Sequence, residues 1–376
     1  MRRFILTKIA GCGLAMGMLG QLPLAGADDV APPPPAAFAG EVAQHFAEWD
    51  RDHDGALTMA EVDRAIANPE VKASTAATAV ALRQAMVRDK LDRLTRPAAE
   101  APENEKTYAW AMKRLEAAPR ELYAGDAPHA EKLRQGKLGD CFCLAALRGV
   151  LQREPAALIT MITPQADGSF RVRIGSTDVA TPAVTDGEII LGASVEDGLW
   201  PVVYEKAVGL SQMKPAKPGK PEATPMSVVT HGGSAGAMMG KLTAHEITRW
   251  SCEAWRAAAA QPDRQTELLN NLRGQLKAAF AENRLVTAGT DGRPTEGVVP
   301  GITYRHGYTV LGYDAATDEV RLWNPHGDSF RPKAAPGLEN GYPRKRGEWS
   351  APLAEVVVFM AGFAFEKVPV EGAAAK

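Results

Sequence analysis

The sequence predicts an α+β chain, with helices gathered in the first half, strands in the second, and a small helical module around an acidic loop in front. Three observations predict it. Lys72 to Leu94 is alanine-rich with a helical apolar face, and Leu144-Ala-Ala-Leu-Arg is a good helix former. Alternating runs at 304–313 and 319–323, joined by the polar turn Asp314 to Asp318, read as a β-hairpin. With 376 residues and 45% hydrophobic content, the chain can build two folding units with sizeable cores.

In chain order, residues 1–27 read as a secretory signal peptide. Arg2, Arg3 and Lys8 precede an apolar run from Ile9 to Leu24 that ends in Ala25-Gly-Ala27, so secretion or delivery to a periplasm is expected. The run is short and glycine-rich for a membrane span, and no membrane partner is expected beyond it. Its removal takes away three positive charges and no negative ones, moving the formal net charge from −2 to −5. A mildly acidic chain without a basic block argues against nucleic acid. Cys12 leaves with the same segment, and Cys141, Cys143 and Cys252 remain. An odd number leaves at least one unpaired; Cys143 and Cys252 fit either two buried thiols or a bridge.

Residues 28–40 contain Pro32-Pro-Pro-Pro35 and read as a stiff spacer. A helical module follows at 41–95. Asp50, Asp52, Asp54 and Glu61 stand at positions 1, 3, 5 and 12 of an EF-hand loop, with Gly55 at the sharp turn, the Ala56 carbonyl at position 7 and Leu57 at the apolar eighth place. Those residues are the expected Ca²⁺ ligands. No second loop of this kind is visible, so the 72–94 helix is expected to pack where a partner hand would sit. Residues 96–106 read as a linker, followed by a helix around Tyr108 to Ala117. His45, His53 and His129 have no zinc-ligand spacing, and His231, His245, Trp250 and Trp255 are assigned to packing or surface.

The run Gln135-Gly-Lys-Leu-Gly-Asp-Cys141 breaks the chain just before an apolar helix. Cys141 is therefore expected in the first helical turn, where partial positive charge favours thiolate. Gln135 and the Cys141 N–H together suit an oxyanion. Alone, a cysteine beside glycines fits a buried core thiol equally well. The hairpin then brings His306 near Asn324, a base and the amide that would orient it.

These residues carry a resemblance to the calpain family of papain-like cysteine proteases. Gln135 to Cys141 is similar to that family's nucleophile motif, and His306-Gly-Tyr-Thr-Val resembles its His-Ala-Tyr-Ser-Val strand. Leu322-Trp-Asn-Pro-His-Gly327 resembles Leu-Arg-Asn-Pro-Trp-Gly, Leu199 to Ala207 resembles its Leu-Trp-Pro-x-x-x-Glu-Lys-Ala helix, and Gly347-Glu-Trp349 resembles Gly-Glu-Phe-Trp. The resemblance implies a papain-like two-lobe fold, a helical lobe at 107–240 bearing Cys141 and a β-rich lobe at 241–370 bearing His306 and Asn324. It implies nucleophile, base, orienter and oxyanion donor at Cys141, His306, Asn324 and Gln135, acting on protein or peptide substrates. Gly232 and Gly233 stand where the family lines its cleft, and also fit an ordinary flexible turn. Two departures matter: Phe142 replaces a Trp, and His326 replaces the Trp beside the Asn–His pair, which is expected to leave that pair wetter. They keep open a non-enzymatic calcium-dependent binding protein on the same scaffold. A transglutaminase-like acyl transferase would want Asp where Asn324 stands.

Overall fold

The computed structural model describes residues 35–367 apart from 126, 127, 217 and 220. The expected signal peptide, and the spacer up to residue 34, lie outside the described residues.

The first element, α1 (Pro35–Trp49), corrects the expected end of the spacer. Proline is tolerated in a first helical turn, and Phe38, Val42, Phe46 and Trp49 recur at helical spacing and are all buried. After the acidic loop come β1 (Ala56–Thr58) and α2 (Met59–Ala67). α2 opens on a capping box: Thr58 Oγ1 accepts from the Glu61 N–H while the Glu61 carboxylate accepts from the Thr58 N–H.

α3 (Ala73–Asp89) stops short of the expected Leu94, because Lys90 turns left-handed at φ 53° and ends the helix. β2 (Arg93–Thr95) then pairs antiparallel with β1, Leu57 opposite Leu94, and α4 (Arg96–Ala99) follows. A second helix–strand–helix unit thus stands beside the first. It carries no acidic ligand spacing, since only Lys90, Leu91 and Asp92 separate its helix from its strand. The expected linker is likewise packed. It folds as α4, a 3₁₀ turn at Pro102–Asn104 and the start of α5 (Glu105–Glu116), held by Asn104 Nδ2 donating to the carbonyls of Ala98 and Ala99.

α6 (Cys141–Arg153), α7 (Ala157–Met161), α8 (Asp186–Leu191), α9 (Trp200–Gln212), α10 (Pro225–Thr230) and α11 (Ala235–Thr243) follow. Between α7 and α8 lies a three-stranded antiparallel sheet of β3 (Ile162–Pro164), β4 (Phe170–Ile174) and β5 (Thr177–Thr181). One hydrophobic cluster runs from Phe38 on α1 through Leu144 on α6 to Met239 on α11. The N-terminal helices are therefore built into this core. Thr185 Oγ1 donates to the Ile66 carbonyl at 2.6 Å, and buried Arg83 on α3 pairs with buried Asp63 on α2 at 2.6 Å.

A second cluster is organised on β6 (Ile247–Ser251), α12 (Cys252–Ala257), α13 (Pro262–Ala281), β7 (Val286–Gly289), β8 (Gly307–Asp314), β9 (Glu319–Trp323), β10 (Glu348–Pro352), α14 (Leu353–Phe359) and β11 (Gly362–Glu366). Its six strands are all antiparallel, in the order β10-β9-β8-β7-β11-β6. The expected hairpin is β8 and β9. The two clusters meet where α6 packs on β8, with Thr309 Oγ1 donating to the Ala145 carbonyl at 2.6 Å. Among the described residues, no helix is long and apolar enough to cross a membrane.

Asp63→Ala would leave the Arg83 guanidinium buried without its partner. Unfolding free energy measured in denaturant should fall by about 3 kcal/mol, the cost of breaking a buried pair from one side. The double replacement Asp63→Leu with Arg83→Met should recover most of that loss.

Candidate active site

Residues 135–140 thread through a tight gap before α6. The Gln135 N–H donates to the Pro325 carbonyl and the Lys137 N–H to the Leu191 carbonyl, each at 2.7 Å. A Cβ on Gly136 would come within 1.9 Å of the Gly192 carbonyl oxygen, and one on Gly139 within 2.7 Å of that of Thr230. Only glycine fits at either point. Cys141 emerges as the first residue of α6, half-buried, with Phe142 and Cys143 buried behind it.

The Cys141 sulfur accepts from the Gly307 N–H at 3.4 Å, which sets it beside the residue that follows His306. His306 is buried. Its N–H donates to Thr290 Oγ1 at 3.1 Å, and its ring Nε2 lies 2.7 Å from Asn324 Oδ1. The amide orientation of Asn324 is fixed from both ends: Oδ1 also accepts from the His326 N–H at 3.0 Å, and Nδ2 donates to Thr303 Oγ1 at 3.2 Å. With that oxygen as acceptor, Nε2 of His306 carries the proton and Nδ1 is the basic nitrogen. Asn324 is itself clamped, its N–H donating to the Gly347 carbonyl at 2.9 Å. Gly347 has φ 82°, and a Cβ there would strike the Asn324 carbonyl at 2.4 Å, so the Gly347-Glu-Trp349 segment buttresses the amide.

The structure thus brings Cys141, His306 and Asn324 together. Gln135 is adjacent through Pro325, but its Nε2 donates to the Leu138 carbonyl at 2.6 Å, so one amide hydrogen already braces its own loop. Gly232 and Gly233 line a cleft of about 590 Å³ with Cys141 and His306. Gly233 packs on Phe142, whose ring a Cβ would meet at 2.7 Å, while Gly232 takes φ 77°. Trp250, assigned from sequence to packing, lines this cleft as well as packing in the sheet core. Nothing local in the sequence marks it, because β6 joins the sheet at its far edge through β11. All three described cysteines are free, which removes the alternative of a Cys143–Cys252 bridge.

Burial opposes charge on both reacting groups. Burial pushes the Cys141 thiol above its ordinary value, against the Gly307 N–H that lowers it, instead of the thiolate expected from a helix start. Burial, with His326 beside it, pushes the His306 imidazole down to about 3. Taken singly, each group is pushed by burial toward its uncharged form. Nor does His326 leave the pair wet. Its ring lies 4.5 Å from that of His306, centroid to centroid, and Asn324 has no exposed surface.

At the acidic loop, carboxylate oxygens of Asp50, Asp52 and Asp54 lie within 4.8 Å of one another, and Gly55 turns the chain at φ 83°. Glu61 accepts from the Arg51 N–H and the Thr58 N–H, each at 2.8 Å, which tethers it to both ends of the loop. Asp54 is ion-paired to Arg93 of β2.

A sequence model described as the calpain family cysteine protease matches residues 90–333, which include Gln135, Cys141, His306 and Asn324 and exclude the acidic loop. No curated protein matches the chain.

A raised thiol pKa means that thiolate accumulates only as pH climbs through that raised value. The rate of Cys141 alkylation by iodoacetamide should therefore increase steadily with pH beyond 9, measured against Cys141→Ser. A rate already flat between pH 5 and 8 would indicate a resting thiolate–imidazolium pair instead.

Proposed function

The chain belongs to the calpain family of cysteine proteases, and on that premise we propose that it is an endopeptidase in which Cys141 is the nucleophile, His306 the base and Asn324 its orienter. One observation carries the reading: the 2.7 Å bond from His306 Nε2 to Asn324 Oδ1 leaves Nδ1 free, on a residue whose neighbour's N–H touches the Cys141 sulfur. His306 Nδ1 takes the thiol proton as sulfur attacks the peptide carbonyl. The oxyanion is met by the Cys141 N–H and the second hydrogen of Gln135 Nε2. The amine departs with the proton held on His306, and water, activated by the same nitrogen, resolves the thioester. Gly232 and Gly233 are proposed to present backbone to the substrate chain, and a papain-like two-lobe layout is proposed from the two hydrophobic clusters.

The acidic loop is proposed as an EF-hand Ca²⁺ site. Its residues fit such an ion: three carboxylates converge, Gly55 allows the turn, the Ala56 carbonyl stands at position 7, and Glu61 is fixed at the twelfth place by the capping box. Ca²⁺ there would offset two of the four carboxylate charges and compete with Arg93 for Asp54. Affinity is expected in the roughly 10⁻⁴–10⁻³ M range of extracellular modules. That range suits the proposed export through residues 1–27. Substrates are proteins or peptides. The acyl-transferase reading loses ground to Asn324, which supplies an amide where that chemistry wants a carboxylate.

Purified protein should cleave casein, and Cys141→Ser should not. Gln135→Ala should lower kcat about 10²-fold with little change in KM, as for loss of one oxyanion donor. In calorimetry, Glu61→Gln should weaken Ca²⁺ binding. Cross-linked products without fragments would favour acyl transfer, and wild-type inertness would favour the scaffold reading.

A further inference from the structure

Asp140, the residue before the nucleophile, has no exposed surface, and neither of its carboxyl oxygens receives a hydrogen bond from an N–H or hydroxyl of another residue. It lies against the carboxyl of Glu205, also without exposed surface, on α9. Two ionised carboxylates side by side in a dry interior would each lack solvation and repel the other. A single O–H between them supplies the missing donor and removes one charge. We propose that Asp140 and Glu205 share one proton and act as a positioning pair, fixing the backbone that carries the Cys141 N–H; this rests on the peptidase reading above.

The pair is wired to the floor beneath the nucleophile loop. Glu205 accepts from the Ala193 N–H at 2.9 and 3.1 Å, and Arg114 donates to the carbonyls of Gly192 and Ala193 at 2.7 and 2.6 Å. The same floor takes the Lys137 N–H on the Leu191 carbonyl. From the other side, the Asp140 carbonyl accepts the Cys143 N–H at 2.8 Å and so starts α6. The acid–carboxylate contact closes this circuit between α6, α9 and the 191–193 turn.

The charges around the pair set the sign of its pH response. Arg114 faces Glu205, with Arg134 and Glu196 beyond it. Cys141, Cys143 and Tyr204 are neutral in this surrounding, His326 faces Asp140 with its ring held neutral by burial, and Lys241 lies toward Cys143. One negative charge is therefore balanced by Arg114. A second, created when rising pH removes the shared proton, sits uncompensated beside Cys141, where it disfavours thiolate and forces the carboxyls apart. The alkaline limb of the kcat/KM profile belongs in part to this step.

Infrared spectra of the full-length protein at neutral pH should contain the C=O band of a protonated buried carboxyl, and Asp140→Asn should abolish it. An amide can donate to Glu205 as the acid does, so Asp140→Asn should keep most of the activity and move the alkaline limb to higher pH. Glu205→Gln should behave alike, its amide donating to Asp140. Asp140→Ala should lose about 10²-fold, the effect of displacing reacting groups by about 1 Å. A wild-type spectrum without the band, or Asp140→Asn and Glu205→Gln both folded yet as impaired as Asp140→Ala, would overturn the proposal. Should wild type cleave no peptide, the peptidase reading falls, and the band alone decides whether the proton is shared.

Discussion

The site depends on the close packing of α6 against the first residues of β8. Gly307 eases it: a Cβ there would stand 3.2 Å from the Ala235 Cβ, closer than most such contacts, and 3.4 Å from the Phe142 Cα. Without that side chain the Gly307 N–H reaches the Cys141 sulfur, and Thr309, one strand repeat on, fastens to the Ala145 carbonyl. The sulfur stands on the first residue of α6 and the imidazole on the residue just before β8, so the packing of that helix on that strand sets their meeting.

Dryness is the second constraint. Burial pushes both reacting groups toward their uncharged forms, so each gains charge less readily than in water. His326 contributes by covering His306 where an indole stands in the resembled family pattern; it does so with an imidazole that burial keeps uncharged. The Asn324 amide then orients His306 without adding a negative charge to an interior that already contains Asp140 and Glu205.

How much of this was legible depended on whether the signal was local. The hairpin could be read because alternation and a polar turn lie within twenty residues, and the structure has β9 at Glu319–Trp323 as the pattern indicated. The start of α6 could be read because glycines and Asp140 punctuate it. The second helix–strand–helix unit could not, since Arg93-Leu-Thr95 carries no ligands and owes its strand to pairing with β1. The spacer reading failed at Pro35 because proline-rich composition masked the helical spacing of Phe38 and Val42. Trp250 and the Asp140–Glu205 contact join residues far apart in sequence, and only tertiary packing reveals them.

The N-terminal helices share their core with the helix that carries Cys141, and Arg83 reaches from α3 past Asp63 toward Thr230, just ahead of Gly232 and Gly233. Function at this site turns on the Cys141 sulfur working with the His306 imidazole. Mass-spectrometric mapping after treatment with a peptidyl vinyl sulfone tests it most directly. The adduct is predicted on Cys141, not on Cys143 or Cys252, and it should be lost in His306→Ala. Labelling that spares Cys141, or that persists undiminished without His306, would contradict the account.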